Sequence, residues 1–128
     1  MLDTNIVGYL LKGDPAVARH IVTAAMASLS ISAITAGELL LGLAKRPAAA
    51  RLHLAVREFL RRVDVLPWDH EVATRYGTVR AALQSAGKTL APLDMLIATH
   101  ALHADAVLVT NDQAFRHVPG LNVEDWTN

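Results

Sequence analysis

Two hydrophobic periods alternate along the chain. Apolar positions three and four apart mark helices from Ile6 to Leu11, stopped by Gly13, and from Pro15 to about Ala27. Thr35 to Ala44 continues the helical period. A longer run opened by Pro47 carries Leu52, Val56, Phe59, Leu60 and Val63 on one stripe. Asp69 can cap a further helix that turns Val72, Tyr76, Val79 and Leu83 inward and ends at Gly87. Leu93 to Ala104 is nearly all apolar and reads as a buried helix. Between these lie short segments of a different kind. Ser28 to Ser32 alternates, Asp64 to Pro67 reads as a strand through Val65 and Leu66, and Ala106 to Val109 is a continuous apolar run suited to a central parallel strand. A helical turn around Phe115 and an edge strand over Leu121 to Val123 complete the pattern.

Strands alternating with helices predict an α/β layered domain with a mostly parallel sheet and right-handed crossovers. No repeat, low-complexity tract or linker interrupts the 128 residues, so the expectation is one domain over 1–128. Ligands of such sheets bind outside the carboxyl ends of the strands, where strand order reverses.

Composition narrows this picture. Hydrophobic residues make up 52% of the chain and charged residues 19%, which suits a packed core and excludes a disordered chain. The absence of cysteine excludes disulfides and thiolate metal sites and fits a reducing cytoplasm. The least polar long stretch, Ile21 to Gly37, contains Thr23, Ser28, Ser30, Ser32 and Thr35 and makes a poor membrane span. Asp3 and the lack of a basic leader argue against a signal peptide. A net charge of +0 argues against a protein that coats nucleic acid by charge alone. Half of the 12 Lys+Arg nevertheless fall in one segment, Lys45, Arg46, Arg51, Arg57, Arg61 and Arg62, with Glu58 as its only acid. That segment reads either as a solvated helix face with a Glu58–Arg62 pair or as a flank, through Arg46, Arg57 and Arg61, that touches RNA or an acidic partner.

Four acids stand at the helix-starting junctions of this alternating chain: Asp3, Glu38, Asp94 and Asp112. Each alone has an ordinary explanation. Asp3 and Asp112 can cap the helices that follow them, Asp94 sits after Pro92 where it favours the helix dipole, and Glu38 can close a capping box with Thr35. Together they ask for more. Thr4, Ser32, Thr110 and Asn111 are already available as caps, and extra carboxylates gathered at one sheet edge repel unless a cation is present. Hard oxygen donors suit Mg²⁺ or Mn²⁺, and the economical chemistry is phosphodiester hydrolysis by a metal-activated water. His100 and His103 lie six and nine residues past Asp94 and do not share its face well. The other histidines are isolated, and neither a phosphate-cradling glycine loop nor a paired serine nucleophile is present.

The motifs Leu2-Asp3-Thr4-Asn5, Ser32 to Leu39, Pro92-Leu93-Asp94-Met95-Leu96-Ile97-Ala98 and Leu108 to Asp112 with Phe115 resemble the PIN-domain ribonucleases, in order and across essentially the whole chain. The ending, Val118 to Trp126, resembles the VapC toxins of type II toxin–antitoxin systems. The resemblance implies a three-layer α/β/α fold around a mostly parallel sheet of about four to five strands. It implies Mg²⁺- or Mn²⁺-dependent endoribonuclease action, with tRNA among the substrates of such enzymes. It also implies a homodimer and a VapB-like antitoxin that lays a C-terminal segment across the active groove. Asp3, Glu38 and Asp94 match the core acids and Asp112 the more variable fourth. Thr4, Asn5 and Thr110 then hold the carboxylates or a water. Only Met1 and Leu2 precede the first Asp where relatives carry several apolar residues, so either the first strand is unusually short or the start lies upstream. Gly37 stands where a larger residue is common.

Two rivals remain. Haloacid-dehalogenase-like phosphatases need a second Asp two residues after the first, where this chain has Asn5. A PIN-like module that binds a partner without cutting would keep the fold and lose the metal.

Overall fold

The computed structural model describes residues 1–128, the side chain of Met26 excepted. Six helices and four short strands follow the predicted order: α1 Thr4–Leu11, α2 Pro15–Thr23, β1 Ser30–Ser32, α3 Ala33–Lys45, α4 Ala50–Arg62, β2 Asp64–Leu66, α5 His70–Ser85, α6 Pro92–His103, β3 Leu108–Val109 and β4 Val123–Glu124. Short 3₁₀ turns cover Met26–Ser28 and Gln113–His117.

β1 pairs with β2 and β3 with β4, both in parallel. Residues 1–3 run between the two pairs. Leu2 N–H donates to Ser30 O at 2.8 Å on one side, and Asp3 N–H donates to Val109 O at 3.0 Å on the other. The lateral order is therefore β2, β1, residues 1–3, β3, β4. Successive side chains point to opposite faces. Met1 and Leu108 enter a core formed with Leu83, Met95, Ile97 and Phe115, whereas Leu2 and Val109 enter a second core with Ile6, Val17, Ile31 and Phe59. Helices α5 and α6 cover one face and α1, α2 and α4 the other, which makes the three layers.

The differences from the sequence reading are local. α2 ends at Thr23 because Ala24 turns extended to bring the chain toward β1. α4 begins at Ala50, not at Pro47, after a turn in which Ala49 N–H bonds to Arg46 O. β3 is confined to Leu108–Val109, because Ala106 N–H still closes the turn after α6 on Ala101 O. No helix is long and apolar enough to cross a membrane.

Candidate active site

Asp3 follows the N-terminal strand segment and starts α1. Its Oδ1 accepts from Ile6 N–H at 2.9 Å, so it is an N-cap, and its side chain is buried. Asp112 follows β3 and caps the 3₁₀ turn by accepting from Ala114 N–H at 2.9 Å. Asp94 lies in the first turn of α6, a helix with Pro92 at its start and no side-chain cap. Glu38 lies in the second turn of α3, not at its start. The cap of α3 is Ser32, whose Oγ accepts from Ile34 N–H at 3.1 Å, so Thr35 and Glu38 form no capping box.

Glu38 turns instead toward α1. Thr4 Oγ1 donates to Glu38 Oε1 at 2.7 Å and is in hydrogen-bond contact with Thr35 Oγ1 at 3.2 Å. Thr35 and Glu38 are three apart on α3 and share a face, a spacing the sequence displays and the capping-box reading hid. Thr110 links two other acids. Its hydroxyl lies near enough to the Asp3 carboxylate to favour the charged form, and Thr110 Oγ1 accepts from Asp112 N–H at 3.0 Å. Asn5 is exposed and bonds to none of the acids; with Thr4, Gly8, Tyr9 and Lys12 it lines a groove along α1.

Electrostatics tie the four acids to one region. Burial pushes the Asp3 carboxyl above its ordinary range. Thr110 and the Ile6 amide oppose that rise, while the charges of Asp112 and Glu38 add to it. Asp94 is raised first by burial and then by Asp112, Asp3 and Glu38. Among the described residues no Lys or Arg forms an ion pair with any of the four. Nor do three of these side chains converge closely enough to hold a bare ion by themselves. Asp3 and Asp112 each turn one oxygen onto a backbone amide, Glu38 turns one onto the Thr4 hydroxyl, and Asp94 turns none. Capping and ligation are thus compatible here, since a carboxylate that spends one oxygen on an amide keeps the other. The donor set, carboxylates with hydroxyls and no thiolate, suits a hard divalent cation that retains several waters.

His100 does not face the acids. It is buried on α6, and its Nδ1 lies 2.7 Å from Ser32 Oγ. Because Ser32 Oγ already accepts from Ile34 N–H, its hydroxyl proton is free to bond to a neutral imidazole, and burial holds His100 below the ordinary histidine range. This pair joins the helix that carries Asp94 to the cap of the helix that carries Glu38. Neither partner bears a motif that marks the contact, which spans 68 positions. In the basic segment, Arg61 and Arg62 both bond to Glu58 at 2.8 Å, while Arg46 and Arg57 have no acidic partner among the described residues.

Residues 1–121 match the PIN domain family. The tRNA(fMet)-specific endonuclease VapC of Shigella flexneri is 37% identical over 99% of this chain and 97% of its own length. The DNA-bound VapBC structure from Salmonella typhimurium matches with a TM-score of 0.90 at 36% identity, covering 98% of this chain and 96% of that one. VapBC2 of Rickettsia felis, bound to a DNA fragment from its promoter, matches with a TM-score of 0.89 at 30% identity, covering 98% and 97%. With sequence likeness along nearly its full length and the fold to match, the chain belongs to the PIN-domain family, among the VapC ribonucleases of toxin–antitoxin systems.

Proposed function

We propose that this VapC chain is a divalent-metal-dependent endoribonuclease in which Asp3, Glu38, Asp94 and Asp112 hold Mg²⁺ or Mn²⁺. The observation that carries the reading is the mutual repulsion of four acids at one sheet edge with no cationic side chain among them. When bound, such an ion lowers the pKa of its water and stabilises charge on the scissile phosphate. The chain's own groups supply placement. Thr4 fixes the Glu38 carboxylate from α1, Thr110 holds the Asp112 backbone beside Asp3, and α6 delivers Asp94 in its first turn. Water attack leaves a 3′-hydroxyl and a 5′-phosphate; a cyclic phosphate would count against this chemistry.

The relatives named for tRNA(fMet) make the initiator tRNA the first substrate to try. The solved VapBC complexes support a VapB-like antitoxin as partner; the further expectation is that the antitoxin meets a homodimer of this single-domain chain. An apolar groove of about 200 Å³ beside Glu38, walled by Leu11, Leu39, Leu52 and Val56, suits an antitoxin segment.

The rival reading is a PIN-like module that binds a partner without cutting. Incubating the antitoxin-free protein with tRNA in Mg²⁺, beside EDTA and Asp94→Asn controls, separates the two. Discrete fragments lost in both controls support the nuclease. Intact RNA with retained antitoxin binding supports the module.

A further inference from the structure

A cleft of about 50 Å³ opens where α5 ends and α6 begins, lined by Arg80, Gln84, Lys88 and Thr89 over Pro92 and Met95. Two cations share it, and among the described residues neither has an acidic partner.

Both cations are held in place by the fold. Gly87 adopts φ +71 and closes α5 with two hydrogen bonds, its own N–H to Gln84 O at 3.0 Å and Lys88 N–H to Leu83 O at 2.9 Å. That turn needs a left-handed residue, and it delivers Lys88 back toward Arg80 and Gln84. Arg80 donates to the Tyr76 hydroxyl and lies 5.8 Å from the Tyr76 ring centroid. Tyr76 packs edge-on against Trp68, with centroids 6.0 Å apart, and Trp68 Nε1 donates to Leu96 O of α6 at 3.0 Å. A guanidinium braced on an aromatic ring keeps donors to spare for an anion.

The cleft lies at the same edge as the acids, because the first turn of α6 contributes to both. Pro92 and Met95 face α5. Asp94 stands between them at the opening of the same helix, two positions from Pro92 and one from Met95. A nucleic-acid strand passing over the start of α6 would meet the acids on one side and the paired cations on the other.

We infer that Arg80 and Lys88 form a backbone-phosphate subsite for the RNA strand, placed beside the cleavage site by α6. The inference rests on the ribonuclease reading and adds a binding contact that the acids cannot provide. It adds a second basic surface to the segment around α4, where Arg61 and Arg62 bond to Glu58 and Arg46 and Arg57 have no acidic partner among the described residues; the cations of the α5–α6 cleft differ in lining a cavity.

The test is binding of a fluorescent single-stranded RNA to antitoxin-free Asp94→Asn protein over a range of salt. The same background then carries Lys88→Ala, Arg80→Ala, both together, or Lys88→Arg. Each alanine is expected to weaken binding roughly tenfold and to lower the slope of log affinity on log salt by about 1, with Lys88→Arg restoring most of both. RNA binding that ignores these substitutions overturns the subsite and leaves the nuclease reading intact. Loss of affinity for the antitoxin with RNA binding unchanged also overturns it and assigns the cleft to protein recognition. Absence of RNA binding by every protein, parent included, overturns the subsite together with the reading beneath it.

Discussion

The carboxyl edge of the sheet and the outer face of α4 use the same kinds of charge in opposite ways. On α4 a single carboxylate, Glu58, is shared by Arg61 and Arg62, and all three side chains stand in solvent. At the sheet edge four carboxylates lie within electrostatic reach of one another, Asp3 is buried, and no Lys or Arg answers them. Paired charges in water are nearly neutral in energy and carry little information about function. Unpaired like charges at a partly dry edge oppose folding, so their presence points to work done there.

The largest expected effect follows from removing one of those charges. Asp94→Asn should lower cleavage by at least roughly 10²-fold, the scale seen when one electrostatic partner of a reaction is lost. It should also raise the Tm of metal-free protein, because repulsion from Asp112, Asp3 and Glu38 is relieved. Activity assays and thermal melts on the same preparation check both. A variant that loses activity and stability together would show that Asp94 is structural.

The next effect concerns placement. Thr4→Val keeps the shape of α1 and removes the donor held 2.7 Å from Glu38. Loss of such supporting groups typically costs 10–100-fold in metal affinity or activity, so a fall of roughly that size is expected, with Thr4→Ser recovering most of it. Calorimetric titration with Mn²⁺ provides a measure independent of turnover.

Much of this edge was legible in the sequence, and the reasons differ from residue to residue. Asp3, Asp94 and Asp112 could be placed because each directly follows a strand or opens a helix, and a parallel sheet sends all such positions to one edge. The division of Met1 and Leu108 from Leu2 and Val109 between two cores was not read from the sequence, because a continuous apolar run does not show which face each residue takes. Glu38 was found for a partly mistaken reason. Thr35 suggests a capping box, but Ser32 wins the cap because β1 hands over to α3 without a loop, and Glu38 is left free to meet Thr4. The His100–Ser32 pair was invisible, since its partners lie on elements whose register depends on tertiary packing. The α5–α6 cleft was hidden for a related reason: Gly87 reads as a stop signal, and only the fold shows which side chains its turn brings together.

pH should separate the acids from the buried histidine in metal-free protein. Asp3 and Asp94 titrate above the ordinary carboxylate range when folded, so the folded chain holds their protons more tightly. Stability from these groups is full below the unfolded pKa near 4 and is lost as pH rises through their folded values. His100 is shifted the other way. Its folded pKa is lowered, so its contribution is full above the unfolded value near 6.5 and is lost as pH falls through the folded value. Denaturant melts across pH 3 to 8 should therefore show a decline on the acid side that His100→Gln flattens. They should also show a loss with rising pH that Asp94→Asn reduces. Saturating Mg²⁺ should oppose the second and leave the first unchanged.

The smallest effect belongs to α4, and its smallness is what the comparison requires. Hydrogen bonds from Arg61 and then Arg62 hold the Glu58 carboxyl below its ordinary range. Taken at face value, that shift would make Glu58 a stabilising residue whose contribution fades as pH falls. The group stands open to solvent, however, and water and salt screen both hydrogen bonds. Glu58→Gln should leave the Tm unchanged at physiological salt, with a small loss emerging only at low ionic strength. The substitution frees Arg61 and Arg62 and makes α4 more basic. If α4 were the face that grips RNA, affinity should rise; if the α5–α6 cleft is that face, affinity should hold while Lys88→Ala lowers it. The same helix thus tests where the paired charges end and the working ones begin.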